Sequence, residues 1–358
     1  MKICFILPKI NLAGGIISTV ELANHLLTKG HDVTVVHPSI IIGPRLKWFN
    51  FRSIWSNFDL RNKAKDLLYN RIQPKCRMIK VPTLKDKYIP NADVVIATWW
   101  ETAYYVNNYS TGKGIKFYFV RGYEIWSGNK DLVEKTYSLP LRIITTSTSL
   151  KSLLKNNHGV DVIGTVPNGV NFSLFYKARG EESPNGIKRI GMVYRGFKWK
   201  GMGDGFEAFR IAKQSVPEIK LVLFGSPAGD DVPDEVEFHE HPDVDTLRTL
   251  YNSLDVFILP SHPEEAFANP PMEAMACGVP CVLTNVGGVP DYTIAGKTAL
   301  VVNPNDPKAL ADQLILLLTD DKLRHAIAQG GYERIRNFSW EKSASILETI
   351  LKEQIADK

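Results

Sequence analysis

Cysteine is scarce in this sequence, with Cys4, Cys76, Cys277 and Cys281 the only four in 358 residues. Their scatter excludes a disulfide-stapled scaffold and suits reduced thiols in a reducing compartment, so a cytosolic protein is expected. Cys277 and Cys281 have no second ligand pair nearby, and His239-Glu240-His241 is far off in sequence, which argues against zinc. Long apolar runs are also missing. None reaches the roughly 18 residues a membrane-spanning helix needs, and the run Ile3 to Leu7 is broken by Pro8, Lys9 and Asn11, so neither a signal peptide nor an anchor is expected. There is no internal repeat at solenoid periods and no low-complexity tract. The pattern G-x-G-x-x-G fits neither Gly14-Gly15 nor Gly201, Gly203 and Gly205, which removes the fingerprint of a nicotinamide dehydrogenase.

What is present is an ordinary globular composition, 44% apolar, in a chain too long for one core and suited to two domains of about 150–180 residues each. Short β-rich runs alternate with helical patterns twice over, the pattern of two doubly wound parallel sheets in an α/β protein. In the first half the expected strands are Lys2 to Leu7, Asp32 to His37, Ala92 to Thr98, Ile115 to Val120 and Arg142 to Thr146. A helix after Gly14-Gly15 carries an apolar face of Ile16, Thr19, Val20, Ala23, Leu26 and Leu27, ended by Gly30. The second half offers Ile190 to Val193, Lys220 to Phe224, Asp255 to Leu259, Cys281 to Thr284 and Ala299 to Val302. The polar, breaker-rich stretch 181–186 reads as the linker, giving domains 1–180 and 187–335 and a closing helix within 336–358.

The most informative stretch is Glu265-Ala266-Phe267-Ala268-Asn269-Pro270-Pro271-Met272-Glu273, followed by Ala274 to Pro280. Pro270 and Pro271 suit a helix's first turn, where no backbone N–H is needed, and Gly278 stops the helix. Glu273 is expected in that first turn. Glu265 precedes it on the loop leaving an apolar strand, so both acids fall at the carboxyl end of the sheet, where open α/β sheets bind ligands. A first-turn Glu can also merely cap its helix. Arg195 and Lys200 form a second cluster just after the first strand of the second half. Fixed cations there would stabilise negative charge that develops in a transition state.

The pattern E-x-F-x-x-P-x-x-E-A-M-A-C-G-x-P-x-V resembles the signature of glycosyltransferase family 4, retaining enzymes of the two-domain GT-B fold. Pro167 to Asn171, Arg195 to Gly201, Gly287 to Asp291 and Asn303 to Asp306 extend the resemblance over most of the chain. It implies two Rossmann-like domains with a cleft between them, and a last helix crossing back to the first. It also implies transfer of a hexosyl or deoxyhexosyl group from a nucleotide-diphosphate sugar to a glycan or lipid-linked hydroxyl, with configuration retained. By the same resemblance Glu265, Glu273, Arg195 and Lys200 carry catalysis, and Gly15, Phe267, Ala268 and Asn269 join Arg195, Lys200 and Glu273 in holding the donor. Ala268 stands where the family usually has Gly. No His follows Ile115 to Val120, where related enzymes often place one; Arg121 and Glu124 are the acceptor-side candidates. No cofactor or divalent metal is expected, because Arg195, Lys200 and helix N-termini can neutralise the diphosphate. A GT-B epimerase or phosphorylase, or a non-catalytic sugar-nucleotide-binding subunit, is the alternative reading.

Residues 44–80 hold ten Lys or Arg against two Asp, more positive charge than the whole chain's net +5. Trp48, Phe49, Phe51, Trp55 and Phe58 interleave with these cations, a pairing that favours an anionic membrane surface over nucleic acid and predicts a peripheral enzyme.

Overall fold

The computed structural model describes residues 1–11, 13–39, 72–178, 186–233 and 235–356. Most of the basic stretch, residues 44–71, and residues 181–185 of the expected linker lie outside the described residues. The chain divides into two compact units, Met1–Asn168 with Trp340–Lys358, and Gly169–Ser339.

In the first unit seven described strands run parallel: β1 Lys2–Ile6, β2 Asp32–Pro38, β3 Arg77–Val81, β4 Val94–Ala97, β5 Ile115–Val120, β6 Arg142–Thr145 and β7 Val162–Thr165. Their spatial order, β3-β2-β1-β4-β5-β6-β7, reverses between β1 and β4. The central strands are apolar throughout because helices cover both faces; Ile3, Phe5, Val33, Val35, Val94 and Phe117 are all buried. The helix Gly14–Thr28 packs one face on this sheet and ends at Gly30, whose φ of 84° is the left-handed conformation a helix terminator favours.

The second unit repeats the plan with β8 Lys188–Tyr194, β9 Ile219–Gly225, β10 Glu237–Glu240, β11 Val256–Leu259, β12 Cys281–Thr284 and β13 Leu300–Val302. The order is β10-β9-β8-β11-β12-β13, again all parallel, with the reversal between β8 and β11. In each unit the loops leaving the two strands at the reversal diverge to opposite sides of the sheet and leave a crevice at its carboxyl edge. This α/β architecture is the one the alternating pattern implied.

Three strands were not foreseen, β3, β7 and β10, and each lies at the edge of its sheet. The chain passes between units at Asn168–Gly169, ahead of the polar stretch expected to link them, because Val170 and Phe175 already belong to the second unit's core. At the other end, Trp340, Ala344, Leu347 and Leu351 of the helix Trp340–Ala356 are buried in the first unit's core with Phe5, Val20 and Phe119. Gly164 of β7 admits this helix closely, since a Cβ there would lie 2.4 Å from Ile350 Cδ1.

That helix is pinned by Glu348, whose carboxylate meets Lys352 Nζ at 2.6 Å, Lys29 Nζ at 3.1 Å and His31 Nε2 at 3.1 Å. Lys352 first, then Lys29 and His31, hold the Glu348 carboxyl down at about 2. A depressed carboxyl contributes stability that is complete above its unfolded pKa of about 4.3 and is lost as pH falls towards 2. Thermal midpoints measured between pH 6 and pH 2.5 should therefore fall on the acid side, and Glu348→Gln should flatten that fall. An unchanged acid limb in the variant would remove Glu348 from the account.

Candidate active site

At the carboxyl end of β8 the chain turns through Arg195 and a short 3-10 turn, Lys198–Lys200, into Gly201 at φ 65° and the helix Met202–Ser215. The opposing loop leaves β11 through Pro260, Ser261 and His262. The two loops are laced together where His262 N donates to the Trp199 carbonyl at 2.8 Å and its ring Nε2 meets Asp204 Oδ2 at 2.9 Å. Gly201 is required at this crossing: a Cβ there would fall 2.0 Å from the Pro260 carbonyl oxygen. The consequence is an ion pair between residues 65 apart, with Lys200 Nζ donating to Glu265 Oε2 at 2.6 Å. Glu265 is 6% exposed and also accepts Ser261 Oγ at 3.0 Å and the Ala266 amide at 3.2 Å. The Lys200 ammonium further sits 4.2 Å from the centre of the Trp199 ring.

Lys200, half-buried, and Glu265, buried, are thus joined in one ion pair, where the sequence offered two separate ligands. Arg195 lies half-buried on the same β8 loop. Glu273 departs from expectation. The helix runs Asn269–Ala276, so Asn269 is its first residue, the two prolines complete the first turn, and Glu273 stands in the second turn with no acid in the first. A capping role for Glu273 is thereby excluded. Tyr251, fully buried, donates its hydroxyl to Glu273 Oε2 at 2.9 Å and fixes the carboxylate. Ser261, Tyr251 and His262 organise the site yet carry no motif; only the position of Ser261 and His262 at a strand's carboxyl end could have flagged them.

Phe267 is buried against Tyr292, ring centres 5.6 Å apart, and a Cβ on Gly288 would strike its ring. Ala268 has φ 58° and ψ 87°, a backbone that glycine adopts at no steric cost. Three effects compete in Ala268→Gly. Relief of the left-handed strain gains about 1–2 kcal/mol. Loss of a buried methyl costs about 0.8 kcal/mol, and the freer unfolded chain costs about 0.4–1 kcal/mol. They nearly cancel, so Ala268→Gly should unfold in urea within about 0.5 kcal/mol of wild type. A loss above about 2 kcal/mol would show that the methyl is a packing element and that the strain is slight.

In the first unit Gly15 is the second residue of the helix Gly14–Thr28, at the carboxyl side of β1, and Arg121 follows β5. The two adjoin: Arg121 Nε lies 3.6 Å from where a Gly15 Cβ would stand. Arg121 is buried, rests over the Phe119 ring at 4.7 Å, and donates from Nη2 to Asn168 Oδ1 at 2.8 Å. Burial pushes its guanidinium down to about 10, against the attraction of Glu124. Glu124 is 2% exposed, so it is neither a surface charge nor open to an acceptor; its Oε2 accepts the amide of Trp100, the first residue of the helix Trp100–Asn107. Burial pushes its carboxyl up to about 8 despite that bond and Arg121.

A literal Asp-x-Asp occurs at Asp243-Val244-Asp245, and it opens a helix: Asp243 Oδ1 accepts the Thr246 amide at 2.8 Å and Asp245 Oδ1 accepts Arg248 Nη2 at 2.7 Å. Among the described residues no group of three His, Cys, Asp or Glu side chains is placed to hold a metal ion. The four cysteines are buried free thiols, Cys277 and Cys281 included.

Residues 177–334, nearly the whole second unit, match the family of glycosyl transferases, group 1. The capsular polysaccharide biosynthesis glycosyltransferase CapM of Staphylococcus aureus is 32% identical over 244 residues, 62% of this chain and 62% of that protein. A D-inositol 3-phosphate glycosyltransferase of Corynebacterium efficiens is 32% identical over 149 residues, 38% of this chain and 35% of that protein. The match therefore spans less than two thirds of either relative. Among solved structures, HepE of Anabaena in complex with UDP-glucose superposes with a TM-score of 0.74 over 100% of both chains at 15% identity, a likeness of fold and of the GT-B architecture.

Proposed function

We propose, on the premise that the second unit belongs to the glycosyl transferases of group 1, that this chain moves a sugar from a nucleotide-diphosphate donor to a hydroxyl of a glycan or lipid-linked acceptor, with retention at the anomeric carbon. The observation that carries this reading is the Lys200–Glu265 pair at the carboxyl ends of β8 and β11. Buried Glu265 holds the half-buried Lys200 ammonium where, in this reading, a departing diphosphate gathers charge, and a charge fixed in advance stabilises that transition state without reorganisation. Arg195, on the same loop, supplies the second cation. Glu273, held by Tyr251, grips the donor ribose, while Phe267, Ala268 and Asn269 shape the sugar's place. No carboxylate stands out as a nucleophile, so the reading is front-face displacement in which the leaving phosphate oxygen helps deprotonate the incoming hydroxyl.

The acceptor belongs to the first unit in this reading. Arg121 is its candidate contact; Glu124, committed to the Trp100 amide, serves that unit's structure. The basic and aromatic stretch 44–80 supports an acceptor met at an anionic membrane surface. No helix among the described residues is long and apolar enough to cross a membrane.

A thermal-shift screen of uridine, guanosine, thymidine and adenosine diphosphate sugars tests the donor side, since a ligand of the folded state raises the midpoint with its excess over Kd. One base should stand out, and that donor should be consumed with the anomeric configuration kept in the product, in excess chelator as in its absence. Failure of all four to bind would sink the reading; loss of turnover in chelator that magnesium restores would reassign the phosphate ligands.

A further inference from the structure

We propose that Trp99 and Trp126 form a platform at the carboxyl edge of the first sheet on which a pyranose ring of the acceptor stacks, with the Glu101 carboxylate accepting its hydroxyls. Two adjacent strands deliver these residues. Trp99 and the helix Trp100–Asn107 follow β4, and Trp126 stands in the 3-10 turn Glu124–Ser127 that follows β5. The two indoles meet edge to face, ring centres 5.9 Å apart and planes at 70°, one of the arrangements that aromatic pairs favour. Trp99 is half-buried, and Trp126 remains 44% exposed although Arg121 and Glu124 of the same loop are buried.

The loops beneath the platform are fixed. Thr98 Oγ1 donates to the Ile6 carbonyl at 2.8 Å, and the amides of Thr98 and Trp99 both donate to Thr102 Oγ1, at 3.1 and 3.0 Å. The Trp100 amide donates to Glu124 Oε2 at 2.9 Å and so ties the β4 loop to the β5 loop. Gly128 admits Trp100 closely, since a Cβ there would lie 2.7 Å from its Cζ2. A single exposed indole is ordinary on a protein surface. This one has a carboxylate beside its partner ring. Burial raises the half-buried Glu101 carboxyl, against the pull of the Lys9 ammonium and the Trp99 indole, so these three side chains share one neighbourhood. A pyranose offers the complement: ring C–H bonds for the indole, and hydroxyls around its rim that donate to a carboxylate. Aromatic surface with a few polar groups is the composition of small-molecule sites, and the carboxyl ends of β4 and β5 adjoin the reversal of strand order, where open α/β sheets bind ligands.

This inference rests on the transferase reading for its occupant and narrows the acceptor to one that presents a sugar ring. Methyl α-glucoside, cellobiose and lactose, with glycerol as a ringless control, are titrated into the full chain and into Trp126→Ser, Trp126→Phe and Glu101→Gln, followed by saturation-transfer NMR and indole emission. At least one sugar should bind the wild type, and glycerol should not. That sugar should bind about 10-fold more weakly to Trp126→Ser, with partial recovery in Trp126→Phe, which keeps a ring. Glu101→Gln keeps the shape of its side chain and should weaken binding about fivefold through the lost charge, so the test stands even if Trp126→Ser folds poorly. Equal affinities in all four chains would overturn the platform and move the sugar to another site, and no sugar binding to the wild type would overturn it outright. Binding of anionic liposomes that depends on Trp126, with no sugar bound, would make the exposed indole a membrane contact instead. Donor binding is followed by thermal shift on the same preparations: its failure in the wild type falls on the transferase reading, whereas loss of the platform alone leaves that reading standing.

Discussion

Replacing Lys200 by Ala is expected to cut sugar transfer about 10²- to 10³-fold, the usual consequence of removing one donor from a charge-stabilising site, and to lower stability by about 3 kcal/mol. The double effect follows from the burial of Glu265. With the ammonium gone, a carboxylate 6% exposed keeps only Ser261 Oγ and a backbone amide, and breaking a buried pair from one side leaves an uncompensated charge. The pair Lys200→Met with Glu265→Gln separates the two effects. It should regain most of the stability and none of the activity, read by urea unfolding and by donor turnover on the same preparation. Turnover near wild type in Lys200→Ala would remove Lys200 from the mechanism; full stability would show that water reaches Glu265.

Gly201→Ala should be the most damaging single methyl in the second unit. Its Cβ would lie 2.0 Å from the Pro260 carbonyl oxygen and 2.8 Å from the carbonyl carbon, both backbone atoms that cannot swing away, at a φ of 65° that resists a side chain. The left-handed backbone alone costs about 1–2 kcal/mol, and parting the two loops adds to it, for a loss of at least about 3 kcal/mol. Because the same displacement moves Lys200 and Glu265 apart, activity should fall with stability. Gly203→Ala is the control, two residues on inside the helix Met202–Ser215, where a Cβ would meet nothing within 4 Å. It should match or exceed wild-type stability by up to about 1 kcal/mol. Equal behaviour of the two variants would refute the close approach of the loops.

The elements legible in the sequence share one physical property, burial on both sides. Strands such as Ile115–Val120 and Cys281–Thr284 read as apolar runs because helices cover both faces, and their limits coincide with the observed ones. The strands that went unread are edge strands. Arg77–Val81 alternates with Arg and Lys, and Glu237–Glu240 carries two Glu and a His. An exposed edge is kept polar, which erases the hydrophobic signal. At the site, the motif delivered the acids and cations by position but not their relation. That Lys200 and Glu265 meet depends on a crossing of loops from β8 and β11, a tertiary fact that no local spacing encodes. Likewise the burial of Glu124 comes from the helix N-terminus it serves, a segment some two dozen residues away.

The membership of Trp340–Lys358 in the first unit bears on how the chain is made. A ribosome delivers residues 1–168 early, but the helix that completes their core arrives only after the entire second unit. Until then the apolar surface that Trp340, Leu347 and Leu351 will cover has no cover from this helix, and its closure spans most of the polypeptide. Contacts so distant in sequence are slow to form, so the second unit, continuous from Gly169 to Ser339, can finish folding before its predecessor. A nascent chain stalled or truncated before Trp340 would carry a completed second unit tethered to an incomplete first one, a species that presents an aggregation-prone face to the cell.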